Sequence, residues 1–215
     1  MTPEATYRNA IQQEGFTPDP VQAEAVQLTQ QLFEQLIARP YHTYQEHFFS
    51  KTLKALRQTM PVQSAAPTIK GLYFWGGVGR GKTWLIDSFF KTLPFSEKRR
   101  IHFHPFMQEI HEQLRALPKT PDPLPILARQ MAQQYQLLCL DEFHVQDITD
   151  AMLLAGLLEA LFKYDVILVT SSNIKPDELY KNGLQRDRFL PAIELIKQNT
   201  VVFELNNSTD YRDMV

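Results

Sequence analysis

The sequence predicts an α/β fold in which a five-stranded, mostly parallel sheet lies between helices. Three observations predict it. From residue 69 onward, short apolar runs alternate with stretches of helical spacing; the run 69–75 ends in Gly76-Gly77-Val78-Gly79-Arg80-Gly81-Lys82-Thr83; and a later run, 137–140, ends in Asp141-Glu142. Strands separated by helices require crossovers, which are right-handed and cover both faces of a parallel sheet. The glycine string has the form G-x-x-x-x-G-K-T between a strand and a helix, so the expected fold is that of a P-loop nucleoside triphosphatase.

A chain of 215 residues accommodates one such domain with a shorter accessory segment. Residues 1–66 read as an N-terminal helical segment and residues 67–215 as the P-loop core. With 44% hydrophobic and 21% charged residues, the composition is that of a soluble globular protein. The net charge of −2 and the lack of a dense basic run disfavour a nucleic-acid motor or loader. Cys139 is the sole cysteine, which excludes an intrachain disulfide and fits a reducing compartment. Residues 1–15 carry neither the apolar stretch of a secretory leader nor the Arg-rich, acid-poor pattern of a mitochondrial presequence. No apolar run approaches the roughly 20 residues that span a bilayer. A cytoplasmic protein is expected, peripheral at the inner membrane if its partner resides there.

Val21, Ala25, Leu28, Leu32 and Leu36 recur at helical spacing after Pro20, predicting a helix over 20–38. A second helix is expected over 42–58, and the proline- and small-residue-rich stretch 61–67 reads as the join to the core. Strand 69–75 and the glycine loop lead into a helix over 83–93. A strand over 101–103 precedes a helix over 105–117; prolines at 118, 121, 123 and 125 interrupt the chain before a helix over 125–134. The strand 137–140 is followed by a long helix over 147–163, with Asp147 and Thr149 as capping residues. Further strands are expected over 166–170 and 201–205.

The chemistry follows from these placements. Glycines let the loop backbone turn its N–H groups inward around phosphates, and the helix start adds a favourable dipole. Gly76, Gly77, Val78, Gly79, Arg80, Gly81, Lys82 and Thr83 are therefore the phosphate-binding set, Lys82 reaching the β- and γ-phosphates and Thr83 offering its hydroxyl to Mg²⁺. Asp141 is placed to hold the Mg²⁺ water shell, and Glu142 to polarise an attacking water. The strand over 166–170 runs into Ser171-Ser172-Asn173. If it lies between the phosphate-loop strand and the acidic strand, Asn173 points at the γ-phosphate; the bland reading is a turn-forming Ser-Ser-Asn cluster. Arg186 and Arg188 flank Asp187, either as an arginine finger for a neighbouring subunit or as a solvated, locally salt-bridged pair.

Together these pieces resemble the ZapE family of AAA+ ATPases, whose mitochondrial members are the AFG-one-like ATPases. The resemblance covers most of residues 15–212. It rests on Gly71-Leu72-Tyr73-Phe74-Trp75 with the glycine loop, on Ile101-His102-Phe103-His104-Pro105-Phe106-Met107, on Leu140-Asp141-Glu142-Phe143-His144-Val145, and on Leu179-Tyr180-Lys181-Asn182-Gly183-Leu184-Gln185-Arg186-Asp187-Arg188-Phe189-Leu190-Pro191. It implies a Mg²⁺-dependent ATPase that binds ATP and ADP, acts on a protein partner at the division ring or among membrane-complex subunits, and assembles with its own copies when nucleotide is bound. Family members continue past Thr209-Asp210-Tyr211-Arg212 into a portion with the AAA+ lid, whereas this chain stops at Val215. The resemblance therefore leads us to expect no lid and no lid-borne sensor arginine. The alternative is a lid-less nucleotide-binding interaction module with little turnover.

Other segments carry weaker signals. Gln22, after Phe16-Thr17-Pro18-Asp19-Pro20-Val21, has the hydrogen-bonding pattern to read adenine N6 and N7. Its bland reading has Asp19 capping the helix and Gln22 facing solvent. Phe106-Met107 follow the second strand, either as a substrate-gripping pore loop or as core. His102 and His104 are expected on one face of that strand. With His111 and His144 they match no recognised metal-ligand spacing, so packed or hydrogen-bonded histidines are expected. The aromatic stretch 41–49 lacks the basic density of a membrane-surface helix and reads as helix core.

Overall fold

A computed structural model of the chain describes residues 1–13, 18–39, 69–118 and 120–206. The helix expected over 42–58, the join over 61–67 and the aromatic stretch 41–49 lie outside the described residues. The elements are α1 (Pro3–Gln13), α2 (Pro20–Ala38), β1 (Gly71–Trp75), α3 (Lys82–Thr92), β2 (Lys98–His102), α4 (Phe103–Ala116), α5 (Leu124–Gln134), β3 (Leu137–Asp141), α6 (Ile148–Lys163), β4 (Ile167–Ser172), α7 (Leu190–Asn199) and β5 (Thr200–Glu204). Single 3₁₀ turns at Pro176–Glu178 and Arg186–Arg188 lie between β4 and α7.

All strand pairings are parallel, in the order β2-β3-β4-β1-β5. The sheet is covered on both sides, as the near-continuous apolar strands require. Alternation along each strand sorts the core. Leu72, Phe74, Leu137, Cys139, Ile167 and Val169 face one layer with Leu85, Ile86 and Phe89 of α3 and Ala25, Leu32 and Leu36 of α2. Tyr73, Leu138, Leu140 and Leu168 face the other, with Phe106, Leu127, Leu154, Leu158 and Ile193 from α4 to α7. Tyr7 of α1 belongs to the first layer, so both N-terminal helices share a core with the sheet. Among the described residues, no helix is long and apolar enough to cross a membrane.

Four features depart from the sequence expectation. The second strand covers Lys98–His102 rather than 101–103. Its charged start is tolerated because β2 is an edge strand whose basic side chains all find partners: Lys98 Nζ binds the Phe90 and Leu93 carbonyl oxygens, while Arg99 pairs with Glu109 and Arg100 with Asp87 and Asp141. His104 consequently lies in the first turn of α4, not on a strand face with His102. Pro105 sits in that same turn, where its missing N–H costs nothing. Phe106 and Met107 are both 1% exposed and belong to the core, in line with the bland reading. Helices α1 and α7 had no clear sequence signal: α1 buries only Pro3, Tyr7 and Ala10, and α7 runs directly into β5 without a break.

Candidate functional site

The C-terminal ends of β1, β3 and β4 are adjacent in the sheet, and the loops leaving them form the site. β1 delivers Gly76, whose N–H donates to the Ser172 carbonyl at the end of β4 at 3.2 Å. Gly76 adopts φ 148°, and a Cβ there would lie 2.3 Å from the Leu205 carbonyl oxygen, so only glycine lets the loop leave the sheet at this angle. The loop closes at Gly81, also left-handed at φ 77°, and α3 starts at Lys82 with no side chain capping its first turn. Its leading N–H groups therefore remain available to an anion. Val78, at the loop's outer edge, is 65% exposed.

Lys82 is 8% exposed and its ammonium donates to the carbonyl oxygens of Gly76 and Gly77 at 2.7 and 2.6 Å. The loop thus folds round its own lysine. Burial lowers the Lys82 pKa, and the nearby Arg80 charge lowers it further. A phosphate at the loop would oppose this shift, because its negative charge favours the ammonium.

Asp141, the last residue of β3, is 4% exposed. Its Oδ2 accepts from Arg100 Nε at 2.7 Å, while its Oδ1 is buried without a hydrogen-bond partner. A buried carboxylate oxygen left open beside a phosphate loop is the donor a hydrated divalent cation takes. Thr83, exposed at the start of α3, offers a hydroxyl of the same hard-oxygen chemistry. The residues present therefore fit a Mg²⁺-nucleotide.

Glu142 follows in the left-handed region at φ 55°, which an L-residue occupies at a cost of about 1 kcal/mol or more. Three consecutive hydroxyls of β4 hold this turn. Thr170 Oγ1 donates to the Leu140 carbonyl at 2.7 Å, Ser171 Oγ accepts from the Glu142 N–H at 3.2 Å, and Ser172 Oγ donates to the Phe143 carbonyl at 2.7 Å. The Phe143 N–H adds a bond to the Ser171 carbonyl at 2.7 Å. The carboxylate itself is 80% exposed, with Oε2 3.7 Å from His102 Nδ1. On sequence, Ser171 and Ser172 lie at the strand end before Asn173, with a turn-forming cluster as the bland alternative; the structure places both in β4, where they hold the backbone of the acidic pair.

Asn173 is exposed immediately beyond β4, and β4 lies between β1 and β3 as its proposed role required. Gln22 does not face solvent. It is 1% exposed, its amide has no hydrogen-bond partner, and its Nε2 would stand 2.4 Å from a Cβ placed on Gly81. Asp19 does cap α2, accepting from the Val21 and Gln22 N–H groups at 2.7 and 3.2 Å. Beside them Tyr7 meets Trp84 edge to face at 6.0 Å, bringing α1 against the residue that follows Thr83.

Arg186 and Arg188 differ. Arg186 donates to the Asp177 carbonyl at 2.7 Å, whereas Arg188 is exposed in a surface turn near Leu184, itself 70% exposed. Neither arginine pairs with Asp187 among the described residues. The histidines form no metal cluster among the described residues: His111 is bound to Asp150 at 2.7 Å and His144 to Gln146 at 3.2 Å. Arg100 is the site residue that sequence reasoning missed. Its available signal was a guanidinium two residues before His102, on the strand that proved to flank the acidic one.

A model of the AFG1-like ATPase family matches residues 1–214. The cell division protein ZapE of Escherichia coli (strain K12) is 46% identical over 213 residues, covering 99% of this chain and 56% of that relative. Lactation elevated protein 1 homolog B of Danio rerio is 41% identical over 154 residues, covering 66% of this chain and 31% of the relative. The chain therefore spans about half the length of the first relative and a third of the second. Among solved structures, DnaI superposes with a TM-score of 0.57 at 14% identity, covering 88% of this chain and 87% of that one. AMPPCP-bound DnaA from Aquifex aeolicus gives 0.55 at 17% identity, covering 93% and 51%. These likenesses show the fold, a parallel α/β sheet of the P-loop kind.

Proposed function

Since the chain belongs to the AFG1-like ATPase family, we propose that it binds Mg²⁺-ATP at the loop Gly76–Thr83, hydrolyses it, and uses the cycle to act on a protein partner. The observation that carries this reading is the buried, unpartnered Asp141 Oδ1, on a carboxylate that Arg100 links to the uncapped start of α3, where Lys82 is already seated in the glycine loop.

Each residue has a role in the proposed cycle. The loop N–H groups and the start of α3 receive the phosphates, and Lys82 exchanges the Gly76 and Gly77 carbonyls for phosphate oxygens. Thr83 and Asp141 would hold Mg²⁺, which would supply neutralising charge to the phosphates. Glu142 accepts a proton from the attacking water, and Asn173 orients that water. Catalysis then rests on positioning and electrostatics rather than on covalent chemistry. Arg188, exposed where Arg186 is tied down, is the better candidate to reach a neighbouring copy's nucleotide. The name of the Escherichia coli relative suggests a division protein as the partner.

Gln22 is proposed to read the adenine base, because its buried amide has hydrogen bonds still to make beside Gly81. Gln22→Ala is expected to lower ATP affinity about tenfold and to narrow the ATP-over-GTP preference by a similar factor, corresponding to one lost hydrogen-bonding side chain. Competition of GTP against a fluorescent ATP analogue measures this; an unchanged preference removes the assignment. The overall reading is tested by measuring solution mass with and without Mg²⁺-ATP beside steady-state phosphate release. Turnover accompanied by nucleotide-dependent assembly supports a working ATPase. Tight binding by a monomer without phosphate release supports a nucleotide-gated interaction module.

A further inference from the structure

Arg100 joins three parts of the nucleotide site. Its Nε donates to Asp141 Oδ2 at 2.7 Å, its Nη1 to Asp87 Oδ1 at 2.6 Å, and its Nη2 lies 3.5 Å from the Thr83 carbonyl oxygen. Asp87, one turn after Thr83 on α3, is held from its other oxygen by Lys91 at 2.6 Å. The Arg100 side chain is 18% exposed and that of Asp141 only 5%. Burial works against the guanidinium charge, but the hydrogen bond and charge of Asp141, followed by those of Asp87, more than offset it and raise its pKa.

The arrangement is directional. Arg100 takes one Asp141 oxygen and leaves the other, Oδ1, buried and unpartnered. A planar guanidinium offers donors in a fixed fork, so it can set the distance between the end of β3 and the start of α3. An ammonium, a point charge on a flexible stem, cannot bridge both. Thr83 and Asp141, which serve the same cation under the proposed function, are the residues whose spacing this fork sets.

We propose that Arg100 is a positioning residue for Mg²⁺: by holding Asp141 Oδ2 against α3, through Asp87 and the Thr83 carbonyl, it presents Oδ1 and Thr83 to the cation at a fixed separation. It touches neither phosphate nor metal. This inference rests on the Mg²⁺ role of Asp141.

The test uses a fluorescent ATP analogue, titrated in Mg²⁺ and in EDTA, so that its readout is binding and not turnover. The ratio of the two dissociation constants reports the coupling between cation and nucleotide. Arg100→Gln is expected to shrink that ratio by about tenfold or more, the usual effect of removing a partner behind a metal ligand, with affinity in EDTA unchanged. Arg100→Lys, which keeps the charge but not the fork, should fall between. Asp87→Asn leaves the Arg100–Asp141 bond in place and keeps an oxygen that can accept from Arg100 Nη1, so it should shrink the ratio less than Arg100→Gln. A wild-type ratio in folded Arg100→Gln overturns the proposal. Should Arg100→Gln fail to fold, Arg100→Lys decides, a wild-type ratio again overturning it. Asp141→Asn tests the reading underneath: a wild-type ratio there shows that Asp141 does not serve the cation, a failure distinct from that of Arg100.

Discussion

Glu142→Gln is expected to leave Mg²⁺-ATP affinity within about twofold of wild type and to cut turnover by about two to four orders of magnitude, the range associated with a positioned general base. The amide is nearly isosteric but cannot take a proton from water. Nothing in the surroundings should mask that loss. The side chain is 80% exposed, so the change buries no new polar group, and the hydrogen bond holding residue 142 comes from its backbone N–H to Ser171 Oγ. Melting temperature is therefore expected to stay unchanged. Single-turnover hydrolysis with enzyme in excess separates chemistry from product release. If the rate survives, water activation belongs to another group, and His102, 3.7 Å from the Glu142 carboxylate, is the next to replace.

Lys82→Ala should act one step earlier, on binding. Two charge-assisted hydrogen bonds to phosphate, each contributing about 1.5–3 kcal/mol, correspond to an affinity loss of at least about a hundredfold. Stability without nucleotide should change far less, because burial and Arg80 already disfavour the charge in the folded protein. Titration calorimetry for binding and a melt without ligand give the two numbers. A variant that bound ATP normally would remove Lys82 from the phosphate site. The same lysine is expected to contribute to the pH dependence of nucleotide affinity in the wild type. Its pKa lies below the ordinary value in the free protein, and a bound phosphate favours the charged form and raises it again. Binding takes up a proton wherever the free protein has begun to lose one. Affinity should thus decline as pH rises through the lowered value, and Lys82→Arg should flatten that decline.

Much of this was legible in the chain. The glycine loop announced itself because its backbone conformation demands particular residues, as the left-handed Gly79 and Gly81 show. The position of the acidic pair was legible because an apolar run of strand length that stops at two carboxylates marks where a buried strand ends. Strand β2 was misplaced because an edge strand needs one apolar neighbour at most, and Lys98, Arg99 and Arg100 are neutralised by partners distant in sequence. Arg100 and the β4 hydroxyls escaped notice for a related reason: their meaning lies in a cross-strand register, Arg100 opposite Cys139 and Thr170 opposite Leu140, that periodicity does not specify. Gln22 was singled out for its chemistry, but its burial depends on how α2 packs over Gly81, which composition cannot show.

The strand order has a consequence for how the protein comes into being. β1, which carries the phosphate loop, pairs only with β4 and β5, Leu72 lying opposite Val169 on one side and Val201 on the other. Both neighbours are made long after it. A chain emerging from the ribosome can pair β2 with β3 while β1 still waits, its edges open, for residues 167–204. Such long-range parallel closures are slow, since loop entropy is lost before the contacts form. Under the proposed function, nucleotide at a loop held by Ser172 and Leu205 is expected to lock the last step of folding rather than to template the early ones.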